Sequence, residues 1–155
     1  MDANVINPFI HATNNVLETM AFVTCKAGEP YLKRDDRATG DVTGIIGLTG
    51  DSNGTIAITF DEGSILRVVS NMFAEEITEL TYEVSDAVGE IINMIAGQAR
   101  RELEELGRIY QASIPSVVSG RGHHITHYSD GAKIAIPFTT EGGTFTIEVC
   151  LDMPM

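Results

Sequence analysis

The sequence predicts an α+β fold in which long helices pack on a mostly antiparallel sheet. Two stretches have the apolar spacing of amphipathic helices, and each is followed by two runs rich in β-branched residues that a short turn separates. The chain has 155 residues, of which 43% are hydrophobic and 21% charged, so it can bury one substantial core. We therefore predict a single domain over residues 1–155.

The first helix is predicted over residues 4–22, because its apolar residues recur at helical spacing. Asn7 is a suitable N-cap, since Pro8 would then occupy the first helical position, where its missing N–H is not needed. The residues that follow, 24–40, are mixed and polar. They predict a loop with room for one short strand.

A hairpin is predicted next, since the runs DVTGIIGLTG and GTIAITF are rich in β-branched residues and the turn between them reads GDSNG. Gly44, Gly47 and Gly50 lack the spacing of a phosphate-binding loop, so we interpret them as bulges in a bent strand. Asp61 is placed to cap a short helix over residues 63–74.

The second half of the chain has the same order of elements. A long helix is predicted over residues 79–107, and Gly107 is suited to end it. ASIPSVVSG then predicts an extended segment, and RGHHITHYSDG predicts a loop. The runs AKIAIPFTT and TFTIEVCLD predict a second hairpin across EGG, in which Pro137 should place its strand at an edge or beside a bulge.

The two halves also resemble each other residue by residue. GTIAITFD in the first hairpin parallels GTFTIEVCLD in the second. Both long helices carry three polar residues at the same spacing, Asn7, His11 and Asn14 in the first and Asp86, Glu90 and Asn93 in the second. We therefore predict an internal duplication, with pseudo-repeats over residues 3–60 and 79–152 that the helix at 63–74 joins.

A net charge of −12 argues against nucleic acid and membrane partners, because phosphates and anionic lipids attract clustered Lys and Arg side chains. No stretch approaches the ~20 apolar residues of a membrane span, and the N-terminus lacks the basic and apolar regions of a signal peptide. Cys25 and Cys150 lie in apolar stretches without metal-ligand spacing. We therefore expect reduced thiols in a cytoplasmic protein, with one disulfide between them as the alternative that the sequence leaves open.

The second long helix has a polar face. At ~100° per residue, its apolar residues fall in one sector, the predicted core face: Val84, Val88, Ile91, Ile95, Ala99 and Leu106. Asp86, Glu90, Asn93 and Gly97 lie on the other side. Polar residues on an exposed helix face are common. However, a glycine inside a helix lowers the stability of that helix by about 1 kcal/mol relative to alanine. On an exposed face, a glycine is useful because it lets a partner approach closely.

These residues carry a resemblance to a known family. The series reads Asp86, three residues, Glu90, two residues, Asn93 and then 21 residues to Pro115. It resembles the signature of the CheC/CheX family of bacterial chemotaxis phosphatases, although the spacing to the proline is one residue shorter than the family's. The stretch NPFIHATNNVLETM also resembles the family's opening helix. The resemblance covers nearly the whole chain. Within the family, the chain resembles the CheX type, which keeps one site rather than two.

The resemblance implies an activity and a role for each residue. Family members hydrolyse the aspartyl phosphate of a CheY-like response regulator, so this chain would be an aspartyl-phosphate protein phosphatase in chemotaxis or two-component signalling. Asn93 would hold the attacking water through its carboxamide, and Glu90 would pair with a lysine of the regulator. Asp86 would assist docking at the periphery, and Gly97 would make room for the partner's loops.

The resemblance also implies a CheC-like fold, a homodimer and the location of the metal. The regulator would supply Mg²⁺, so no metal or cofactor is expected on this chain. In the first pseudo-repeat, His11 and Asn14 would form a degenerate counterpart of the site.

Two other interpretations are open from the residues. The same fold and exposed face would serve a non-catalytic signalling module that docks a response regulator or another partner. The HHITH stretch at 123–127 would serve a metal- or small-ligand-binding domain, but zinc would need further ligands, and a solvated His-rich loop is the simpler interpretation. Glu90 and Asn93 favour the phosphatase over the docking module.

Overall fold

A computed structural model describes residues 3–127 and 131–152, in which three helices pack on an antiparallel sheet. The helices are α1 (Ala3–Ala21), α2 (Glu62–Phe73) and α3 (Tyr82–Glu105). Eight strands occur in these two ranges: β1 (Lys26–Ala27), β2 (Tyr31–Lys33), β3 (Val42–Gly50), β4 (Gly54–Phe60), β5 (Tyr110–Ala112), β6 (Ser116–Ser119), β7 (Lys133–Thr140) and β8 (Gly143–Leu151). The α+β class predicted from the sequence is confirmed.

The sheet places the two predicted hairpins side by side. Its strands follow the order β1-β7-β8-β4-β3-β5, with β2 paired to β7 and β6 paired to β3. The hairpins are β3–β4 and β7–β8, and they join where β4 and β8 pair antiparallel at the centre of the sheet. The hairpins thus lie in one sheet, as the repeat predicts. The duplication itself and the domain and repeat bounds stay predictions.

The long helices α1 and α3 lie antiparallel against each other. Nδ1 of His11 is 3.0 Å from Oε1 of Glu102. Four residues later in α1, Nδ2 of Asn15 donates to Oε1 of Gln98 at 2.8 Å, and Gln98 lies four residues earlier in α3. Each half of the chain therefore contributes one long helix and one hairpin to the fold.

The main core lies between the helices and one face of the sheet. Phe60, Phe138 and Phe145 are buried there, and the ring centroids of the last two are 4.9 Å apart. α3 lies so close to β3 that a Cβ atom at Gly44 would be only 2.9 Å from Cγ1 of Val88. β3 keeps an unbroken register with β4, so the bulges predicted at its glycines are wrong. Gly44 is explained by helix packing instead.

The first helix starts earlier than predicted. α1 begins at Ala3, so the predicted N-cap at Asn7 is wrong and Pro8 lies inside the helix. The hydrogen bond that Pro8 cannot make would have gone to the carbonyl of Asn4, an exposed residue whose carbonyl water can reach. Val5 is buried, and its packing in the core stabilises the added turn.

The predicted cap of α2 is confirmed. Oδ1 of Asp61 accepts a hydrogen bond from the backbone N–H of Ser64 at 2.7 Å, and Oδ2 accepts one from that of Thr144 at 3.0 Å. Asp61 therefore caps α2 and also ties the start of that helix to β8. α3 ends at Glu105, which leaves Leu106, a predicted core residue, 52% exposed.

Pro137 does not place its strand at the edge, because β7 pairs with β8 on one side and with β1 and β2 on the other. The proline interrupts the outer pairing instead, and residues 28–30 stand opposite 136–137, so the predicted bulge lies beside Pro137. The backbone N–H of Gly28 donates to the carbonyl of Pro137 at 2.7 Å, and Pro137 has no N–H to return this bond. The outer partner of β7 is accordingly divided into two short strands.

The other face of the sheet is covered by loops and holds a buried ionic group. Oε2 of Glu148 accepts from Nζ of Lys33 at 2.7 Å, and Oε1 is 3.1 Å from Nε2 of His127. Burial would raise the pKa of Glu148, but the hydrogen bonds from His127 and Lys33 outweigh it and hold that pKa below its usual value. The group attaches β2 and the segment before β7 to the sheet.

Candidate functional site

α3 presents a polar stripe to solvent. Asp86, Glu90 and Asn93 are exposed, and their spacings of four and three residues place them on one side of the helix. A rise of about 1.5 Å per residue puts Glu90 and Asn93 one turn apart, about 4.5 Å along the axis. The core side of the same helix is buried, as predicted: Val84, Val88, Ile91, Ile95 and Ala99.

The three stripe side chains have no partner of their own within the described part of the chain. Asp86, Glu90 and Asn93 make no hydrogen bond or ion pair with another residue of 3–127 or 131–152. A carboxylate accepts hydrogen bonds and a carboxamide both accepts and donates them. This stripe therefore offers acceptors and donors that are available to a second molecule.

The two glycines of α3 have different surroundings. A Cβ atom at Gly97 would have no neighbouring atom within 4 Å, so this position opens onto free space beside the stripe. A Cβ atom at Gly89 would lie 3.5 Å from Cγ2 of Val117 and 3.9 Å from Cγ of Pro115. Gly89 therefore faces the chain's own β6 segment, while Gly97 alone of the pair leaves room for an outside molecule.

The segment from β5 to β6 forms a rim along one side of α3. Its Pro115 end lies against Gly89, and at its other end the carbonyl of Tyr110 accepts a hydrogen bond from Nε of Arg100 at 2.9 Å. Between these points Ile114 is 88% exposed. Sequence reasoning missed this residue, although a large apolar side chain between Ser113 and Pro115 in an extended segment was the available signal.

The counterpart of the site in the first half of the chain is occupied by internal contacts. His11 is paired with Glu102 of α3. Oδ1 of Asn14 accepts a hydrogen bond from Sγ of Cys25 at 3.1 Å, and burial raises the pKa of the Cys25 thiol to about 11. The thiol is therefore a proton donor to Asn14 at neutral pH. Of the two matched sets of positions, the one in α3 therefore keeps an exposed carboxylate and an exposed amide, while His11 and Asn14 are engaged.

The HHITH stretch is not the solvated loop predicted for it. Nε2 of His123 is at hydrogen-bond distance from Oγ1 of Thr43, and the side chain of His127 is 3% exposed and contacts Glu148. His124 alone of the three is exposed. His123 and His127 attach the loop to the sheet, because one ring nitrogen of each lies within hydrogen-bond distance of a side chain on β3 or β8.

The described residues contain neither a metal-binding cluster nor a membrane-spanning helix. No group of three or more His, Cys, Asp and Glu side chains in residues 3–127 and 131–152 is arranged to hold a metal ion. Across the same ranges, no helix combines the length and the apolar character that a membrane span needs.

Comparison with known proteins agrees with the fold. Three helices packed on an antiparallel sheet are the architecture of CheC-like proteins. Residues 42–139 match the family described as chemotaxis phosphatase CheX, and this range contains the whole stripe and Pro115. The chain belongs to the CheX family.

Individual relatives cover almost the entire chain. A CheC-like superfamily protein from Shewanella sp. PV-4 is 43% identical, with a TM-score of 0.92 over 99% of this chain and 100% of that one. The CheY-P phosphatase CheX of Thermotoga maritima is 30% identical over 142 residues, 91% of this chain and 92% of the relative. CheX from Borrelia burgdorferi, in a complex with CheY, BeF₃ and Mg²⁺, is 27% identical with a TM-score of 0.81, over 96% and 97% of the two chains.

Proposed function

We propose that this chain accelerates hydrolysis of the aspartyl phosphate of a CheY-like response regulator in bacterial chemotaxis. The observation that carries the proposal is the pair Glu90 and Asn93, exposed one turn apart on α3 and unengaged by any other described residue. The relatives named above support it, since one is a CheY-P phosphatase and another forms a complex with CheY and BeF₃.

Asn93 is the proposed catalytic residue. Water attacks the phosphorus atom, the bond from phosphorus to the aspartyl oxygen breaks, and inorganic phosphate leaves while the regulator's carboxylate is restored. Phosphoryl transfer of this kind depends mainly on positioning and charge stabilisation. The Asn93 carboxamide can hold the water in line through its oxygen and NH₂ group, and it does so without a titration step.

The other stripe residues act in docking. Glu90 lies one turn before Asn93, so its carboxylate can pair with a lysine of the regulator and fix the depth at which α3 enters the regulator's site. Asp86 lies a further turn away and contributes at the periphery. Gly97 leaves space for the regulator's backbone, because within the described residues no atom beyond its own stretch of α3 stands within 4 Å of its missing Cβ.

The proposal includes the metal, the assembly and the location. The Mg²⁺ that neutralises developing charge belongs to the regulator, so this chain needs no cofactor of its own. A homodimer follows from the family resemblance. A cytoplasmic location agrees with Cys25 and Cys150, which are both present as thiols.

The test is single-turnover dephosphorylation of the phosphorylated regulator at saturating phosphatase. Asn93→Ala should lower the rate on the order of 10²-fold or more, because a transition-state positioning group is lost. Its stability should change by under ~0.5 kcal/mol, since the side chain is exposed. Asn7→Ala is the matched control, an exposed asparagine in the other long helix, and it should keep the wild-type rate.

Two results would contradict the proposal. A wild-type rate in Asn93→Ala would remove the catalytic role of the amide. Binding of CheY-like regulators by the wild-type chain without any acceleration, across all regulators of its genome, would favour the non-catalytic docking module.

A further inference from the structure

The stripe is too small to be the whole contact surface for a regulator. A stable protein interface covers about 800 Å² on each partner, a patch of roughly 15 Å radius. At about 1.5 Å per residue, Tyr82 lies ~12 Å from Glu90 along α3, inside such a patch. A partner centred on Glu90 and Asn93 therefore also covers the start of α3 and the β5–β6 rim.

Ile114 lies level with Asn93 on that rim. The rim runs antiparallel to α3, since Pro115 and Val117 meet Gly89 while Tyr110 meets Arg100. The 11 residues from Gly89 to Arg100 span about 16 Å of helix, and the extended chain from the centre of β6 to Tyr110 spans about 20 Å. Ile114 lies about 7 Å from the β6 end, which corresponds to the level of Asn93. Its side chain is 88% exposed, beside the proposed catalytic amide.

Tyr82 lies at the N-terminal end of the stripe. It is the first residue of α3 and is 80% exposed. At ~100° per residue it shares a sector of about 80° with Asp86, Glu90, Asn93 and Gly97. Exposed tyrosines of this kind are over-represented among the residues that dominate binding energy at interfaces.

We propose that Tyr82 and Ile114 are apolar anchor residues for the phosphorylated receiver domain of the regulator, on either side of Glu90 and Asn93. The inference rests on the proposed function, because the receiver is the occupant and the surface is continuous with the proposed site. An apolar contact at Ile114 extends the interface along the side of α3 that carries the amide. Tyr82 extends the contact beyond Asp86. Both residues set affinity and leave the chemistry to Asn93.

The experiment compares Ile114→Ser and Tyr82→Ala with two control variants. Leu32→Ser and Tyr31→Ala remove exposed apolar side chains from β2, at the opposite edge of the sheet. Dephosphorylation is measured against phosphatase concentration, and binding is measured with the Mg²⁺- and beryllofluoride-loaded receiver of CheY. Each test variant should raise the half-saturating concentration and the Kd about tenfold, with a maximum rate within about twofold of wild type. The controls should match wild type in both.

Three results would overturn the anchor proposal, and a fourth would overturn only the proposed function. Unchanged Kd values for Ile114→Ser and Tyr82→Ala would exclude them as anchors, and a lower maximum rate at unchanged Kd would assign them to the chemistry. A changed molar mass of either variant by light scattering would show that the residue contacts a second copy of this chain. If the wild type bound the loaded receiver without accelerating dephosphorylation, the phosphatase proposal would fail, while the Kd values would still decide the anchors.

Discussion

Nζ of Lys33 lies 2.7 Å from Oε2 of Glu148, and the two side chains are only 5% and 1% exposed. These charges come from strands that are separated in the sheet by β7, which pairs with both of them. Their attraction must offset the loss of hydration at both ions, which is large for buried charges.

Removing both of these charges should destabilise the chain by less than the sum of the two single removals. Glu148→Gln and Lys33→Met should each lower the free energy of unfolding by about 3 kcal/mol or more, because each leaves the other charge buried and unpaired. The double variant should lose less than the sum, as the glutamine oxygen can still accept from His127. Urea unfolding of all four chains checks this, and simple additivity would contradict it.

The same group should make the fold sensitive to acid. The pKa of Glu148 is lowered in the folded chain, so its contribution to stability is complete above the ordinary glutamate pKa of about 4.3 and disappears as the pH falls through the lower folded-state value. The difference in unfolding free energy between wild type and Glu148→Gln should therefore shrink below about pH 4. A difference that stays constant from neutral pH to about pH 3 would be the contrary result.

Glu90→Ala should weaken docking through charge. The loss of a charge-assisted contact should raise the Kd for the beryllofluoride-loaded receiver about tenfold, and the remaining binding should depend less on ionic strength. Calorimetry at low and high salt measures both effects. Glu29→Ala, an exposed glutamate in the loop between β1 and β2, should bind as wild type does. Equal salt dependence in Glu90→Ala and wild type would argue against the lysine contact.

Gly97→Ala should separate stability from docking. Nothing lies within 4 Å of the added methyl group, so the helix should gain about 0.5–1 kcal/mol and the Tm should rise by about 2–4 °C. Receiver binding should nevertheless fall, because the methyl group fills the space left for the partner's backbone. Gly89→Ala should raise the Tm by a similar amount but should bind the receiver as wild type does, since its methyl group meets only Pro115 and Val117. Unweakened binding by Gly97→Ala would remove the proposed reason for this glycine.

A glutamate introduced at position 11, which matches Glu90 of α3, should not create a second site. The variant His11→Glu in an Asn93→Ala background should stay as inactive as Asn93→Ala alone, because Asn14 is held by Cys25 and the new carboxylate would face Glu102. Single-turnover dephosphorylation gives the answer. Any acceleration above the Asn93→Ala level would show that the first half of the chain can still form a site.

Local periodicity was enough to predict the helices, the two hairpins and the exposed stripe. Asp86, Glu90 and Asn93 share one helix, so their common face follows from 3.6 residues per turn. The Asp61 cap was predictable because its partner, Ser64, is three residues away.

The features that the sequence could not predict depend on distant contacts. β1 and β2 are strands only because β7 pairs with them, and neither has an alternating pattern of its own. Glu148 lies 115 residues from Lys33, so nothing near it indicates a buried ion pair. Asn14 is hydrogen-bonded because Cys25 packs against it. The position of Ile114 along α3, level with Asn93, depends on how the rim packs on that helix.

The central pairing of β4 with β8 has a consequence for the order of folding. These strands lie about 90 residues apart in the chain, and they hold the two hairpins in one sheet. Each hairpin closes a short loop and can form early, whereas the central pair must close a long one at a greater entropic cost. The rate of folding is therefore set by the meeting of the two halves, and the carboxylate of Glu148 on β8 becomes covered only after that step.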